Sequence, residues 1–303
     1  MVVLINTKRL LLLGAGEMTQ NRLYFGYGSN LDWNDWVRFC RKHNANPEGL
    51  QERESAWLVK HHLKFHYYSS GREGGAADVV PINDVHATPG VLFDVDEEAW
   101  ATLVRKEGAP KYYEEKDVLV LGSDGRLQKA TTFVVCKHRQ KPHFVPPTDA
   151  YQQLIHDGLQ RRDLPTFGLD QALQHSFDYP TIRHLFVYGT LMSGQGRFNQ
   201  LEPFVLSSMQ GWTKGQLHHL GSFPGLKLGD GIVHGELIEM RNAEQCLRQT
   251  DAIEGFRGFD HLDNFYERTI VQIQTEQGMA WAWTYLYAHD VDADSIIENG
   301  RWN

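Results

Sequence analysis

The sequence has few of the features that mark several common classes of protein. Its three cysteines, Cys40, Cys136 and Cys246, are far apart and odd in number, which fits neither a disulfide framework nor a cysteine-type zinc site and indicates a reducing compartment. No block of Lys and Arg occurs, and 38 acidic residues exceed 30 basic ones, for a net charge of −8. This balance argues against nucleic acid or an anionic membrane as a partner. No apolar run approaches the roughly 18 residues of a membrane span, so we expect a cytoplasmic protein.

The length and the hydrophobic content indicate two globular domains. Roughly 100–200 residues per domain makes two the expectation for 303 residues, of which 41% are hydrophobic. Near the start, Lys8-Arg9 precedes only four leucines, Leu10–Leu13, which is too short for the roughly 7–15 apolar residues of a secretory signal. Gly14-Ala15-Gly16 lacks the third glycine of a dinucleotide-binding turn. We expect residues 1–20 to form an extension that need not be native, with Met18 as an alternative start.

Three short patterns occur in the same order in both halves of the chain. The first is an apolar and aromatic run that ends in Tyr-Gly and a small hydroxyl residue, at Tyr27-Gly28-Ser29 and at Tyr188-Gly189-Thr190. The second and third pairs are Gly90–Val95 with Gly235–Met240, and Glu107-Gly108 with Glu254-Gly255. Three matches in one order indicate a tandem duplication.

The duplication predicts one domain over residues 21–178 and a second over residues 182–303, with a boundary near Asp178-Tyr179-Pro180. Helical spacing of apolar residues predicts a closing helical segment for the first domain within residues 147–175. Apolar runs predict strands at 118–121, 131–135, 269–273 and 282–287. Many strands with few long helices in each half predict α+β domains built on a curved sheet or barrel.

The Tyr-Gly-Ser/Thr pattern predicts a tight turn that can hold an anion. In the first copy an apolar stripe predicts a helix soon after it: Trp33, Trp36, Val37 and Cys40. Backbone N–H groups that point outward at such a junction bind carboxylates and phosphates. Gly28 and Gly189 permit close backbone approach, and Ser29 and Thr190 add a hydroxyl. The alternative is an ordinary turn that caps a helix; recurrence of the pattern with a downstream Glu-Gly favours a binding site.

Together these segments resemble the γ-glutamylcyclotransferases. In the first half the resemblance runs through Tyr27-Gly28-Ser29-Asn30-Leu31, residues 74–81, residues 90–93, Glu107-Gly108, the helix at 151–158 and Leu164-Pro165. The second half is similar to the shorter branch, which includes γ-glutamylamine and γ-glutamyl-antibiotic cyclotransferases, through residues 187–191, 223–225, 233–237, 251–255 and 266–268. The resemblance covers nearly all of residues 22–290 and implies a small mixed β-barrel flanked by helices in each half.

The resemblance also implies a reaction. The free α-amino group of a small γ-glutamyl compound attacks its own γ-amide carbonyl, closing 5-oxoproline and expelling an amine. Glu254 and Glu107 stand where the family carries the acid/base that moves the proton between the two nitrogens; no metal, cofactor or nucleophilic cysteine is required. Asp251 precedes Glu254 as in the family, but Val104 replaces the corresponding Asp before Glu107. The second half is therefore the better candidate catalyst.

The substrate-binding residues implied by the resemblance are the turn residues and one tyrosine in each half: Tyr27, Gly28, Ser29, Asn30 and Tyr113 in the first, and Tyr188, Gly189, Thr190, Leu191 and Tyr266 in the second. For Tyr113 and Tyr266 a half-buried strand tyrosine is an equally good interpretation. Fifteen histidines raise the possibility of a metal site, but adjacent residues on a strand point to opposite faces. We therefore predict none at His61-His62, His66 or His218-His219.

Two other functions fit the same residues. One or both halves could bind or sense a γ-glutamyl compound without turnover, which Val104 favours for the first half. The protein could instead be an acyltransferase that passes the glutamyl group to another amine. The leaving amine also stays open: a peptide such as glutathione, a lysine side chain, a polyamine or an aminoglycoside.

Overall fold

The computed structural model describes residues 22–177 and 179–303. The expected extension at residues 1–20, with Met18, and the boundary residue Asp178 lie outside the described residues. Among the helices that these residues form, none is long and apolar enough to cross a membrane.

The first half forms a closed five-stranded barrel. Its strands are β1 Arg22–Gly26, β2 Leu50–Val59, β5 Ala87–Val95, β6 Tyr113–Gly122 and β7 Leu127–Val135, in the order β1-β5-β2-β6-β7. The neighbours pair antiparallel except β1 and β7, whose parallel pairing closes the barrel. The expected strands at 118–121 and 131–135 lie within β6 and β7.

The second half repeats this plan. Its strands are β8 His184–Val187, β9 Val205–His219, β10 Pro224–Met240, β11 Tyr266–Thr275 and β12 Gly278–Tyr287. Around the closed barrel they follow the order β8-β10-β9-β11-β12, which is the cyclic order of the first barrel, and β8 and β12 again supply the parallel pair. The predicted α+β class with two tandem mixed barrels flanked by helices is confirmed.

Side-chain hydrogen bonds repeat with the strands. A threonine hydroxyl of the last strand donates to a carbonyl of the first strand in both barrels, Thr132 to Phe25 and Thr284 to Phe186. Both threonines are fully buried, so these bonds satisfy carbonyls at the one parallel junction of each barrel, where the backbone ladder is shortest. The duplication therefore extends from sequence patterns to individual buried contacts.

Six helices accompany the barrels: α1 Trp33–Lys42, α2 Glu97–Glu107, α3 Asp149–Gln160, α4 Phe167–Leu173, α5 Phe198–Leu201 and α6 Ala243–Glu254. The expected closing segment of the first half is α3 followed by α4. On α1, Trp36 and Cys40 are buried as its spacing predicts, but Trp33 at the first helical position is 44% exposed. The first half also has a hairpin that the second lacks, β3 His61–Ser69 and β4 Gly74–Pro81.

The two barrels contact each other through buried polar and aromatic groups. Trp57 of β2 packs edge-on against Trp281 of β12, with ring centroids 5.4 Å apart. Thr269 of β11 donates its hydroxyl to the carbonyl of Gly125 at 2.6 Å. These contacts join strand surfaces of both halves into one core.

Candidate active site

A cavity of about 130 Å³ opens on the second barrel beside the turn that follows β8. All six residues predicted for this half line it: Tyr188, Gly189, Thr190, Leu191, Glu254 and Tyr266. Most of the other lining residues are apolar or aromatic: Phe186, Val187, Phe223, Pro224, Ile253, Phe265 and Tyr285, with Arg197 at the edge. The tertiary structure thus brings together residues that are up to 78 positions apart in the chain.

The turn after β8 presents unused backbone donors. Within the described residues no acceptor faces the N–H groups of Gly189, Thr190 or Leu191. Two of its carbonyls are occupied, because Met192 N–H donates to Gly189 and Arg197 N–H donates to Thr190, each at 2.9 Å. Consecutive N–H groups in a turn that have no internal acceptor can bind a carboxylate.

The helix expected after the first copy of the turn is present as α1, but among the described residues no α-helix begins within the turn itself in either half. In the second half the next helix, α5, begins only at Phe198 and has four residues. In the first half a single 3₁₀ turn, Ser29–Leu31, follows the Tyr-Gly pair, and α1 begins at Trp33 with Asp32 as its N-cap. Donors for an anion would therefore come from the turn itself, without the partial charge of a helix end.

Glu254 is the last residue of α6, and Gly255 caps the helix in the left-handed conformation at φ 67°. The end of the helix thus fixes the position of the glutamate at the cavity wall. Among the described residues the Glu254 carboxylate accepts no hydrogen bond and forms no ion pair. Burial raises the pKa of the Glu254 carboxyl to about 7, although Arg197 opposes this shift.

This raised pKa predicts that Glu254→Gln increases stability at pH 8. The carboxyl titrates near 4.3 when exposed in the unfolded chain and at about 7 when folded. Between these values the folded state binds more protons, so the free energy of unfolding of the wild type falls as pH rises. Gln stays neutral. We therefore expect the free energy of unfolding of Glu254→Gln at pH 8 to exceed that of the wild type by about 1–3 kcal/mol. Thermal unfolding at pH 4 and pH 8 tests this; a difference that is equal at both pH values would contradict it.

The four predicted tyrosines donate their hydroxyl protons to backbone carbonyls. The pairs are Tyr27 to Phe133 at 2.6 Å, Tyr113 to Ala77 at 2.8 Å, Tyr188 to Tyr285 at 2.7 Å and Tyr266 to Pro224 at 2.6 Å. All four side chains are buried, so these bonds hold the walls of the two sites in place and leave only hydroxyl lone pairs for a ligand.

A buried ion pair supports the end of α6 one turn before Glu254. The fully buried Arg268 donates to Asp251 at 2.6 Å, and Asp251 also accepts from the Tyr285 hydroxyl at 2.7 Å. Arg268 also donates to the backbone carbonyl of Asp84, which belongs to the first half. Burial raises the pKa of Asp251 to about 6 against the opposing Arg268 charge. This network ties the helix that carries Glu254 to strand β11 and to the other barrel.

The first half arranges its corresponding residues differently. Glu107 ends α2 as Glu254 ends α6, but its Oε1 accepts from Asn30 Nδ2 at 2.8 Å. Lys106 donates to Asn30 Oδ1 at 2.7 Å and to the Ser29 hydroxyl at 2.9 Å, and it lies 3.1 Å from Asp35 Oδ2. Internal hydrogen bonds therefore already join three predicted site residues: the buried Lys106 ammonium links Ser29 to Asn30, and Asn30 is bound to Glu107.

The first cavity is also smaller. The residues Tyr27, Gly28, Ser29, Asn30, Glu107 and Tyr113 do line one cavity, but its volume is about 20 Å³, room for about one water molecule. Tyr151 of α3 fills the space: its hydroxyl accepts from Ala77 N–H at 3.3 Å and would lie 3.4 Å from a Cβ placed on Gly28. The closing helices that accompany only the first barrel account for this difference.

A model of the family described as gamma-glutamyl cyclotransferase, AIG2-like, matches residues 24–153 and 185–303. The chain belongs to this family. Each matched region contains one barrel with its turn and its Glu-Gly pair.

Individual members of the family share about a third of their residues with parts of this chain. It is 36% identical over 118 residues to the gamma-glutamylcyclotransferase family protein YtfP of Citrobacter rodentium, covering 39% of this chain and 93% of that protein. This chain is 32% identical over 96 residues to gamma-L-glutamyl-butirosin B gamma-glutamyl cyclotransferase of Niallia circulans, and the match covers 31% of this chain and 60% of that protein. The crystal structure of YkqA from Bacillus subtilis aligns with 92% of this chain and 90% of that chain at 16% identity and a TM-score of 0.39.

Sequence patterns in this family member did not identify three charged residues at or near the two sites. Arg197 follows the segment Ser193-Gly194-Gln195-Gly196, which we interpret from sequence as a flexible turn. Lys106 was visible only as a neighbour of Glu107. Arg268 belongs to the matched segment at residues 266–268, but nothing in the sequence indicates that it pairs with Asp251. A cation close to a catalytic candidate in sequence is the one signal that could have identified Lys106.

Proposed function

We propose that the second barrel is the catalytic γ-glutamylcyclotransferase domain and releases 5-oxoproline and an amine from a small γ-glutamyl compound. The observation that carries this proposal is the unpaired Glu254 carboxyl in the same cavity as a turn with free N–H donors. A γ-glutamyl group needs both features, because its α-carboxylate must be held and its α-ammonium must lose a proton before it can attack.

The proposed reaction moves protons from the α-nitrogen to the leaving nitrogen through Glu254. The carboxylate takes a proton from the α-ammonium of the substrate, and the freed amine attacks the γ-carbonyl carbon to form the C–N bond of the five-membered ring. Glu254 gives this proton to the leaving nitrogen as the original γ-amide C–N bond breaks. The ring nitrogen then loses its second proton, which the same carboxylate passes to the released amine, so that the ring closes as a neutral amide and the amine leaves as an ammonium ion. A pKa of about 7 suits a group that acts as a base and then as an acid near neutral pH.

The turn supplies orientation. If the N–H groups of Gly189, Thr190 and Leu191 hold the α-carboxylate, the α-nitrogen and the γ-carbonyl of the same molecule are brought together in a confined cavity. Intramolecular reactions held in this way reach effective molarities of about 10⁵–10⁸ M. The buried tyrosine walls hold the shape of the cavity.

For the first barrel we propose binding without appreciable turnover. Glu107 accepts a hydrogen bond from Asn30, and Lys106 engages both Asn30 and Ser29, so a substrate would have to displace internal partners before reaching the glutamate.

The three cysteines are free thiols, which supports the cytoplasm as the compartment.

A screen of γ-glutamyl amino acids, peptides and amines tests the function, with 5-oxoproline as the measured product. Release of 5-oxoproline in equal amounts with free amine supports the proposal. A new γ-glutamyl amide in the presence of a second amine would support the acyltransferase alternative, and binding without any product would support a sensing protein.

We expect Gly189→Val to weaken substrate binding with Glu254 intact. A Cβ on Gly189 would lie 2.5 Å from Cγ and 2.9 Å from Cδ of Pro224, so a larger side chain pushes the turn or the cavity wall out of position. Such overpacking typically costs about 1–3 kcal/mol, and part of it should appear as a loss of affinity of about tenfold. Isothermal titration of a competitive ligand measures this. The matched control is Gly196→Ala in the following loop, where a Cβ meets nothing within 4 Å and the backbone is not left-handed; equal affinity in both variants would contradict the role of the turn.

A further inference from the structure

The cavity of the second barrel has a buried inner wall and an exposed rim. Tyr188 and Tyr266 of the inner wall are 7% and 4% exposed, whereas Phe265 at the rim is 40% exposed. Arg197 is exposed and Phe223 is half-buried. If the glutamyl group occupies the inner cavity next to Glu254, as the proposed function requires, the leaving amine must lie along this rim.

Arg197 is a cation at the rim for which the described residues supply no hydrogen-bond acceptor or ion-pair partner. Its backbone N–H donates to the Thr190 carbonyl at 2.9 Å, which fixes the start of the side chain beside the substrate turn. In the part of the chain that the structure describes, its guanidinium has no acceptor and no carboxylate within ion-pair distance. A guanidinium beside a cavity binds planar anions such as carboxylates through two parallel hydrogen bonds.

The carboxylate that Arg197 would meet is a second one. The α-carboxylate of the glutamyl group has its own donors in the N–H groups of Gly189, Thr190 and Leu191, which belong to the inner turn. Arg197 also repels additional positive charge from the rim. Both effects favour an anionic leaving amine over a cationic one.

The rest of the rim is aromatic. The rings of Phe223 and Phe265 meet edge to face, with centroids 5.9 Å apart and an interplanar angle of 70°. The Phe265 N–H donates to the Gly255 carbonyl at 3.2 Å, so this ring is held next to the residue that follows Glu254. This partly exposed aromatic pair lies beside Glu254 and offers apolar surface to the leaving amine of the substrate.

We propose that Arg197 and the Phe223–Phe265 pair determine the specificity of this site for the leaving amine. The preferred substrates are γ-glutamyl compounds whose amine carries both a free carboxylate and an apolar or aromatic group, such as γ-glutamylphenylalanine. Polyamines and other cationic amines are disfavoured. This inference rests on the proposed function and goes beyond it by naming the substrate class.

Four substrates separate the two contributions. γ-Glutamylphenylalanine carries both groups, γ-glutamylphenethylamine lacks the carboxylate, γ-glutamylglycine lacks the ring, and γ-glutamylmethylamine lacks both. We expect kcat/KM for 5-oxoproline release to fall about five- to tenfold when the carboxylate is removed and by about the same factor when the ring is removed. The losses should appear mainly in KM, because the rim contacts the leaving group equally before and during the reaction.

Two variants assign each preference to its residue. Arg197→Gln should bring the ratio of kcat/KM between γ-glutamylphenylalanine and γ-glutamylphenethylamine close to one, and Arg197→Lys should retain part of it. Phe265→Ala should remove the preference for the ring and keep the preference for the carboxylate. The ratio between substrates is the proper measure, since Arg197→Gln also raises the pKa of Glu254 and so changes the rate with every substrate.

The outcomes are distinct. Ratios of kcat/KM between the four substrates that stay at their wild-type values in Arg197→Gln would show that Arg197 does not contact the leaving amine, and the proposed selection by this residue would be wrong. Preference of the wild type for γ-glutamylmethylamine would overturn it as well. Failure of all four wild-type reactions to yield 5-oxoproline would instead reject the proposed function. Arg197 and Phe265 are exposed, so both variants should fold, and thermal unfolding verifies this.

Discussion

Replacing Glu254 by Gln should lower kcat for 5-oxoproline release by about 100-fold or more, while the protein still binds its substrate. Gln fills the same space but cannot accept the proton of the α-ammonium, and general acid–base catalysis contributes about 10²–10⁴-fold. Binding should persist because, in the proposed site, the turn at Gly189 and Thr190 holds the α-carboxylate. The measurements are steady-state rates and a binding isotherm with the same substrate. Loss of affinity in proportion to rate would show that Glu254 positions the ammonium and does not shuttle a proton.

Glu107→Gln is the matched control for this prediction. Glu107 occupies the same position at the end of its helix, with a left-handed glycine after it, but its carboxylate accepts a hydrogen bond from Asn30. We expect a smaller effect on the reaction of the second site, or an effect on a different ligand. If Glu107→Gln abolishes turnover and Glu254→Gln does not, the two halves have been ranked wrongly.

Replacing Arg268 by Met should destabilise the protein by about 3–5 kcal/mol, because it leaves Asp251 as a buried carboxylate without its ion-pair partner. It also removes a cation that lies within 5.4 Å of three ring centres, those of Phe256, Phe259 and Trp283. Urea denaturation followed by tryptophan fluorescence measures the loss, since Trp283 contacts the guanidinium.

Arg257→Met is the control for charge removal alone. Arg257 forms an ion pair with Asp263 at 3.5 Å, but both side chains are more than 60% exposed, and such pairs contribute little to stability. We expect its midpoint of denaturation to stay near that of the wild type. A comparable loss in both variants would mean that the buried network with Asp251 and Asp84 has no special importance.

Much of this architecture could be predicted from local sequence patterns. The strands at 118–121, 131–135, 269–273 and 282–287 and the helices of the closing segment follow from spacing and apolar runs, because each pattern reflects which face of an element is buried. The repeated turn and Glu-Gly pair predicted two similar domains, and both barrels have the same cyclic strand order.

Other features depend on contacts between distant parts of the chain. The apolar stripe on α1 predicts a buried Trp33, but this residue lies at the first helical position and is 44% exposed. The hairpin β3–β4 and the helix α3 alter the first site through Tyr151, which is 123 positions from Gly28. No local pattern indicates that this hydroxyl fills the first cavity.

The sequence by itself predicted the family, the duplication and six of the residues that line each cavity, because these depend on motifs whose residues are close in the chain or repeat in order. Only the tertiary structure decided how the two sites differ. Glu254 faces an open cavity and has no hydrogen-bond partner among the described residues, whereas Glu107 is joined through Asn30 to the buried Lys106. The charge state and accessibility of a carboxylate depend on every group packed around it, and those groups come from segments far apart in the chain.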